Sequence, residues 1–298
     1  DSAMLMREDP AGAYAMHEAV LSVATAMGDF SLLVKAIDGR VQMFEIDAIT
    51  ENAERLVDFT KSNTGPIAAQ IDQTELMRRC IPVIAESIRK DSYDLPIELV
   101  RHLITMDRMA KKRGSDLNIA QLRTQLSVAK GYLDQATDAI VTLRSDESDP
   151  VSNGAVGRYT AFIKGDWKAG LEMLVRGDNE KLASMAKADL NASSDTQQIL
   201  TVADAWYDLG QSTSNKVFRG GCYERAAHWY TIAHDALPES LSKVHARTRM
   251  AESNAAATGS PLALVQQIAQ YIGFDLDQEI AMIKNPAAKA LQNNTYED

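Results

Sequence analysis

The chain has 298 residues, with 31 basic and 41 acidic side chains, a net charge of −10, 45% apolar residues and 24% charged ones. This balance excludes a largely disordered chain, and 16 Gly, 8 Pro and 2 Cys exclude a collagen-like or disulfide-dense scaffold. Residues 1–150 hold 17 basic and 24 acidic side chains and residues 151–298 hold 14 and 17, so neither half offers the basic face that a nucleic-acid groove needs.

Apolar residues recur at i, i+3, i+4 and i+7 almost throughout, and strict alternation is nearly absent, so helices are predicted everywhere and strands nowhere. The first helix is expected from about Asp9 to Met27. Pro10 suits its first turn and Gly28 its end, and Tyr14, His17, Leu21, Ala24 and Met27 form its predicted buried stripe. Further helices are expected over Phe30–Ile46, where Leu33, Ile37, Val41 and Phe44 repeat, and over Ala48–Lys61. Ser62–Pro66 is a breaker. Ile71–Lys90 follows, with Pro82 in its interior. Asp91–Asp94 offers caps for a helix from Pro96 to Lys112. The basic cluster Arg108, Lys111, Lys112 and Arg113, just before Gly114, reads as favourable charge at that helix's C-terminus.

Leu117–Arg144 is predicted to be one long helix. Arg144–Pro150 is polar, acidic and closed by Pro, and it is read as a linker; Asp146, Glu147 and Asp149 lack the spacing and Gly of a calcium loop. Shorter helices are expected over Val151–Ile163, Trp167–Leu174, Lys181–Leu190, Thr196–Gly210, Tyr223–Leu237 and Ser240–Ala256, then Leu262–Ile272 and Asp275–Ile283. Asn293–Asp298 is expected to fray. The predicted organisation is an N-terminal helical module over 1–145, a second helical module over 151–258, and C-terminal capping helices with a tail over 259–298.

One stretch carries a repeat signature. Trp206, Leu209 and Gly210 match the first helix of the tetratricopeptide pattern, and Ala226, Tyr230, Ala233 and Pro238 match its second with the expected internal spacing. The gap from Gln211 to Cys222 is about four residues too long for the pattern. Small residues at 226 and 233 let paired helices approach closely, Tyr230 fills the space beside them, and Pro238 ends the pair. Gly165-Asp166-Trp167 and Gly28-Asp29-Phe30 are weaker echoes of a turn between paired helices. A helix pair cannot bury its apolar stripe alone, so neighbours must stack. The predicted fold is therefore all-α: stacked antiparallel helix pairs in a tetratricopeptide-like α-solenoid, with a less regular N-terminal part.

The block Phe162–Leu171, with Leu174, Gly177, Leu182, Ala183 and Ala188-Asp189-Leu190, is followed by Ala203–Leu209 and Glu224–Tyr230. Together these residues resemble the C-terminal half of a family of uncharacterised bacterial helical-repeat proteins that are largely extracytoplasmic. The resemblance covers Val151 to Glu252, and more weakly Ala15 to Ile46. It implies an interaction scaffold in a periplasmic or secreted setting and carries no catalytic residues with it. In the family this helical region often accompanies lectin-like or other extracellular modules, and no lectin-like segment is expected within these 298 residues.

Candidate chemistry is sparse. His17, His102, His228, His234 and His245 include no pair four residues apart, so the usual helical metal pairing is absent. No G-x-S-x-G elbow or phosphate loop occurs. Cys222 follows Gly220-Gly221 and lies near Arg219 and Arg225; it is read as a helix entering after a flexible Gly-Gly rather than as a reactive thiol. Cys80 and Cys222 belong to no CxxC pair, and whether they bridge is open. No 18-residue apolar run exists, so no transmembrane segment is expected. The sequence opens at Asp1 without Met, and an N-terminal piece that would suit a signal is expected to precede it.

No catalytic, cofactor or metal site is therefore predicted. Trp167, Trp206, Tyr207, Trp229 and Tyr230 are the candidate binding residues. Adjacent rings cannot share one helix face, so one ring of each pair is a candidate for exposure, and the alternative is burial between two layers of helices. The expected role is a non-catalytic protein-interaction scaffold whose partner is a protein or peptide, with carbohydrate or cell-wall fragment binding by the aromatic cluster as the alternative.

Overall fold

A computed structural model describes residues 9–109, 119–192, 195–257 and 260–287. Lys111, Lys112 and Arg113 of the basic cluster, the Gly114 that follows them, and the tail over Asn293–Asp298 lie outside the described residues. Among the described residues the fold is all-α, with fourteen α-helices, one π-helical segment and no strand. The helices are α1 (Pro10–Met27), α2 (Phe30–Met43), α3 (Ala48–Ser62), α4 (Gln73–Arg89), α5 (Asp94–Met109), α6 (Ile119–Leu143) and α7 (Pro150–Arg158). The π-helical Tyr159–Ile163 follows, then α8 (Trp167–Leu174), α9 (Glu180–Leu190), α10 (Thr196–Ser212), α11 (Lys216–Ala236), α12 (Leu241–Ala256), α13 (Pro261–Ile272) and α14 (Leu276–Lys284).

The chain forms two compact units: residues 1–126 together with 265–298, and residues 127–264. This differs from the division at 145–151. The acidic Arg144–Pro150 stretch is a turn inside the second unit, and the C-terminal helices expected to cap the second module join the first unit instead. Both boundaries fall within helices, α6 and α13, so no Pro, Gly or polar run marks them.

In the first unit, aspartates start the helices. Asp9, Asp29, Asp47 and Asp72 each accept a backbone N–H from the following first turn, at Gly12, Leu32, Thr50 and Thr74 respectively. Gly28, at φ +69°, ends α1 in the left-handed conformation that glycine adopts without strain. The buried line of α1 is Ala13, Leu21 and Ala24, whereas Tyr14 and Met27, placed in the stripe by periodicity, are 41% and 68% exposed. A helix with apolar residues spread over most of its faces does not reveal which of them will be covered.

α1, α2 and α3 share a buried charge network. Arg40 lies at an apolar phase of α2 and is 1% exposed. It pairs with Glu18, approaches Glu51 at 3.1 Å, donates to the Tyr14 hydroxyl at 2.8 Å, and stacks on the Tyr14 ring at 4.3 Å. Arg55 reaches the same two carboxylates. On α14, Lys284 pairs with Glu86 and Asp277 accepts from Arg89 at 2.7 Å, which ties the C-terminal helix to α4.

Asp47 yields the first testable consequence. Its carboxylate caps α3 and accepts from Lys90 Nζ at 2.8 Å, and this hydrogen bond holds its pKa down to about 2, against an ordinary 3.8. A depressed acid contributes stability that is fully present above its unfolded value and is lost as pH falls through the folded one. Asp47→Ala is expected to cost about 1 kcal/mol at neutral pH. The difference from the parent chain in urea midpoint should shrink between pH 3.8 and about 2. An unchanged difference across that window would refute the linkage.

In the second unit α11 packs against both α10 and α12, and α8 against α7, α9 and the π-helical segment. The long gap from Gln211 to Cys222 is mostly helix: the turn is Thr213–Asn215, and Asn215 caps α11 through Val217 and Phe218. Gly220 and Gly221 are therefore not a flexible entry. They are buried inside α11, where a Cβ on Gly221 would stand 2.6 Å from Phe162 Cδ1. Ala226, Tyr230 and Ala233 are fully buried, as the pairing pattern predicts.

Candidate functional site

The five candidate aromatic residues converge on one cluster in the second unit, and most of their surface is used within it. Trp206, Tyr207 and Tyr230 are buried, and Trp167 and Trp229 are half-buried. Of the two readings, burial between layers of helices holds at Trp206 and Tyr207, because α10 is covered on more than one side.

At the centre is Asp189 of α9, 3% exposed. Its Oδ2 accepts from Trp206 Nε1 at 2.6 Å, Trp229 Nε1 at 2.8 Å and Arg225 Nε at 2.9 Å. Its Oδ1 accepts from Arg225 Nη2 at 2.5 Å. The Arg225 guanidinium lies 5.3 Å from the Trp167 ring centre and 5.1 Å from that of Trp229, within the range of a cation–π contact with each ring. Trp167 meets Trp206 edge-on at 5.6 Å and Phe162 at 5.1 Å. A carboxylate with four donors and almost no solvent has no capacity left to take a proton from a substrate. The arrangement joins α8, α9, α10 and α11; it does not present a reactive group.

Around this centre, Tyr230 donates to Asp204 Oδ1 at 2.5 Å, and Asp204 also lies 2.9 Å from His245 Nε2. Burial, then Asp204, push the Tyr230 hydroxyl far above its ordinary pKa, so it stays a donor. Tyr207 donates to Glu252 at 2.9 Å under the Arg249 guanidinium. Asp189 and Arg225 stood in the resemblance block with no role assigned. The available signal was phase: Leu182, Met185, Ala186 and Asp189 fall on one buried stripe of α9, so a carboxylate sits where the helix turns to the core.

The first unit holds a groove that sequence reasoning missed. Phe30, Val34, Asp38 and Gln42 line one face of α2 at four-residue spacing, and Gln70, Ile71, Asp72, Glu75 and Pro286 line the other side. Its volume is about 810 Å³. Phe30, Val34 and Glu75 also line a smaller pocket of about 210 Å³, bounded by Arg78, Arg79 and Glu279. Phe30 is anchored by the Phe59 ring at 5.5 Å. Asp38 is fixed by Arg79 Nη2 at 2.5 Å, and Arg79 Nε donates to Asn52 at 2.7 Å. Asp29 and Asp72 are engaged as caps. Glu75 and Glu279 have no ion-pair partner among the described residues. Counting Asp29, Asp38, Asp72, Glu75 and Glu279 against Lys35, Arg78 and Arg79, the groove and its extension are net acidic.

Cys80 and Cys222 are both unbridged and buried, and burial pushes both thiols far above their ordinary pKa. Among the described residues no group of three or more His, Cys, Asp or Glu could hold a metal ion, and no helix is long and apolar enough to cross a membrane. No protein-family model, no curated protein and no solved structure matches this chain.

Proposed function

We propose that this protein is a non-catalytic protein-interaction scaffold, and that the groove beside α2 takes a cationic, amphipathic segment of a partner protein. The single observation that supports this reading is the combination of an apolar floor, Phe30 and Val34, with the carboxylates of Glu75 and Glu279, which have no ion-pair partner among the described residues. Apolar anchors in a groove supply affinity, and a rim of one sign selects the partner's charge. In the second unit, the Ala226–Tyr230–Ala233 packing supports a tetratricopeptide-like stacking of α10 and α11 as part of the same proposal. A periplasmic or secreted setting belongs to it too, on the strength of the sequence resemblance.

The test uses a fluorescein-labelled helical peptide of Leu and Lys and its Leu–Glu counterpart, read by polarisation. The Lys peptide should bind and the Glu peptide should not. Glu75→Gln combined with Glu279→Gln should weaken binding about three- to tenfold, since each rim pair contributes less than about 1 kcal/mol. Equal binding of the two peptides, or an unchanged affinity in the double variant, sinks the proposal.

A further inference from the structure

The exposed surface of α1 is unusual for a chain of net charge −10. Its exposed residues are Pro, Ala, Gly, Tyr, Met, Ser and Val, without one charged side chain. Met16, Val23 and Met27 are 52%, 51% and 68% exposed. The charged residue of α1, Glu18, is engaged by Arg40 and Arg55. His17 lies with its Nε2 3.1 Å from Met43 Sδ.

From this we infer that the outer face of α1 is a self-association surface on which a second copy of this chain docks. Three features support a second copy as the occupant. First, a strongly acidic molecule repels its own copies, and contact through an uncharged face brings no like charges together. Second, the face complements itself. At about 100° per residue, Ala15, Ala19, Ser22 and Ala26 form one row and Met16, Val20, Val23 and Met27 form the row beside it. A twofold pairing with the helices parallel sets the large row of each copy on the small row of the other, as an isologous contact requires. Third, the size fits a weak dimer. Eighteen residues give a strip about 27 Å long and about 10 Å wide, roughly a third of the area that a standard stable interface buries per partner. The bilayer is the poorer occupant: α1 has no Lys, Arg or Trp with which to hold an interfacial position.

Sedimentation of the full chain over about a hundredfold range of concentration tests this. A monomer that becomes a dimer towards the top of the range is expected. Met16→Glu combined with Val23→Glu should abolish the dimer with helical circular dichroism unchanged, because both positions face solvent. Mixing that variant with Ala19→Lys/Ala26→Lys should restore association, because the large row of one copy meets the small row of the other. A chain monomeric throughout, a Glu variant that dimerises like the parent, or a monomer that co-sediments with phosphatidylcholine vesicles would each overturn the inference.

Discussion

Replacing Asp189 with alanine is expected to destabilise the second unit by about 3 kcal/mol, towards the lower end of what breaking a buried ion pair costs. The substitution removes the acceptor for Trp206 and Trp229 and leaves the Arg225 guanidinium uncompensated among aromatic rings. The cost stays near the lower end because the Arg225 side chain is 14% exposed and has a path to water. Arg225→Met should also cost about 3 kcal/mol, because it leaves the Asp189 side chain, 1% exposed, without its countercharge although the two indoles still donate to it. The double change Asp189→Ala/Arg225→Met should cost less than the sum of its parts, because the second mutation removes the charge that the first left unpaired. All three Trp residues lie in this unit, so intrinsic fluorescence during urea unfolding reports on it specifically. An Asp189→Ala loss below about 1 kcal/mol, the size of an ordinary exposed pair, would show that the carboxylate is not the joint it looks like.

Glycine at 170 should resist substitution more than its helical setting suggests. In the interior of a helix, Gly→Ala normally stabilises by up to about 1 kcal/mol. At Gly170 of α8, an added Cβ would lie 2.6 Å from Ala161 N, 2.7 Å from its Cβ and 2.8 Å from its Cα. Two of these atoms are backbone and cannot rotate away, so α8 must move off the π-helical segment. Overpacking of this kind costs about 1–3 kcal/mol, and Gly170→Ala is expected at about 2 kcal/mol destabilising after the helix gain is subtracted. The control is Gly131→Ala in α6, where nothing stands within 4 Å of the new Cβ; the same change there should stabilise by about 0.5–1 kcal/mol. Opposite signs in urea midpoint are the expected result, and a stabilising Gly170→Ala would refute the close-approach account.

Much of this molecule was legible from local chemistry. Asp29, Asp275 and Ser240 cap helices beginning within a residue or so of the predicted starts, and Gly28 ends α1 where its conformational freedom is needed. These are interactions between residues three or four apart, which the chain specifies wherever it folds. Ala226, Tyr230 and Ala233 were equally readable, because small and large residues at fixed spacing describe a surface that must meet another helix.

Other features came only with the tertiary arrangement. Arg40 and Asp189 occupy apolar phases of their helices, and a charged residue there is tolerable only if distant partners arrive: Glu18 and Glu51 for one, Arg225 and two indoles for the other. No local rule names a partner 22 or 36 residues away. The groove beside α2 needs Pro286, far along the chain, for part of its lining. The sequence by itself determined that the chain is helical, where most helices begin and end, and that its charge is acidic, since these depend on backbone propensity and near neighbours. Which side of the largely apolar α1 is covered, which residues form the first unit and what neutralises the buried charges were decided by tertiary packing, because each depends on surfaces brought together from distant parts of the chain.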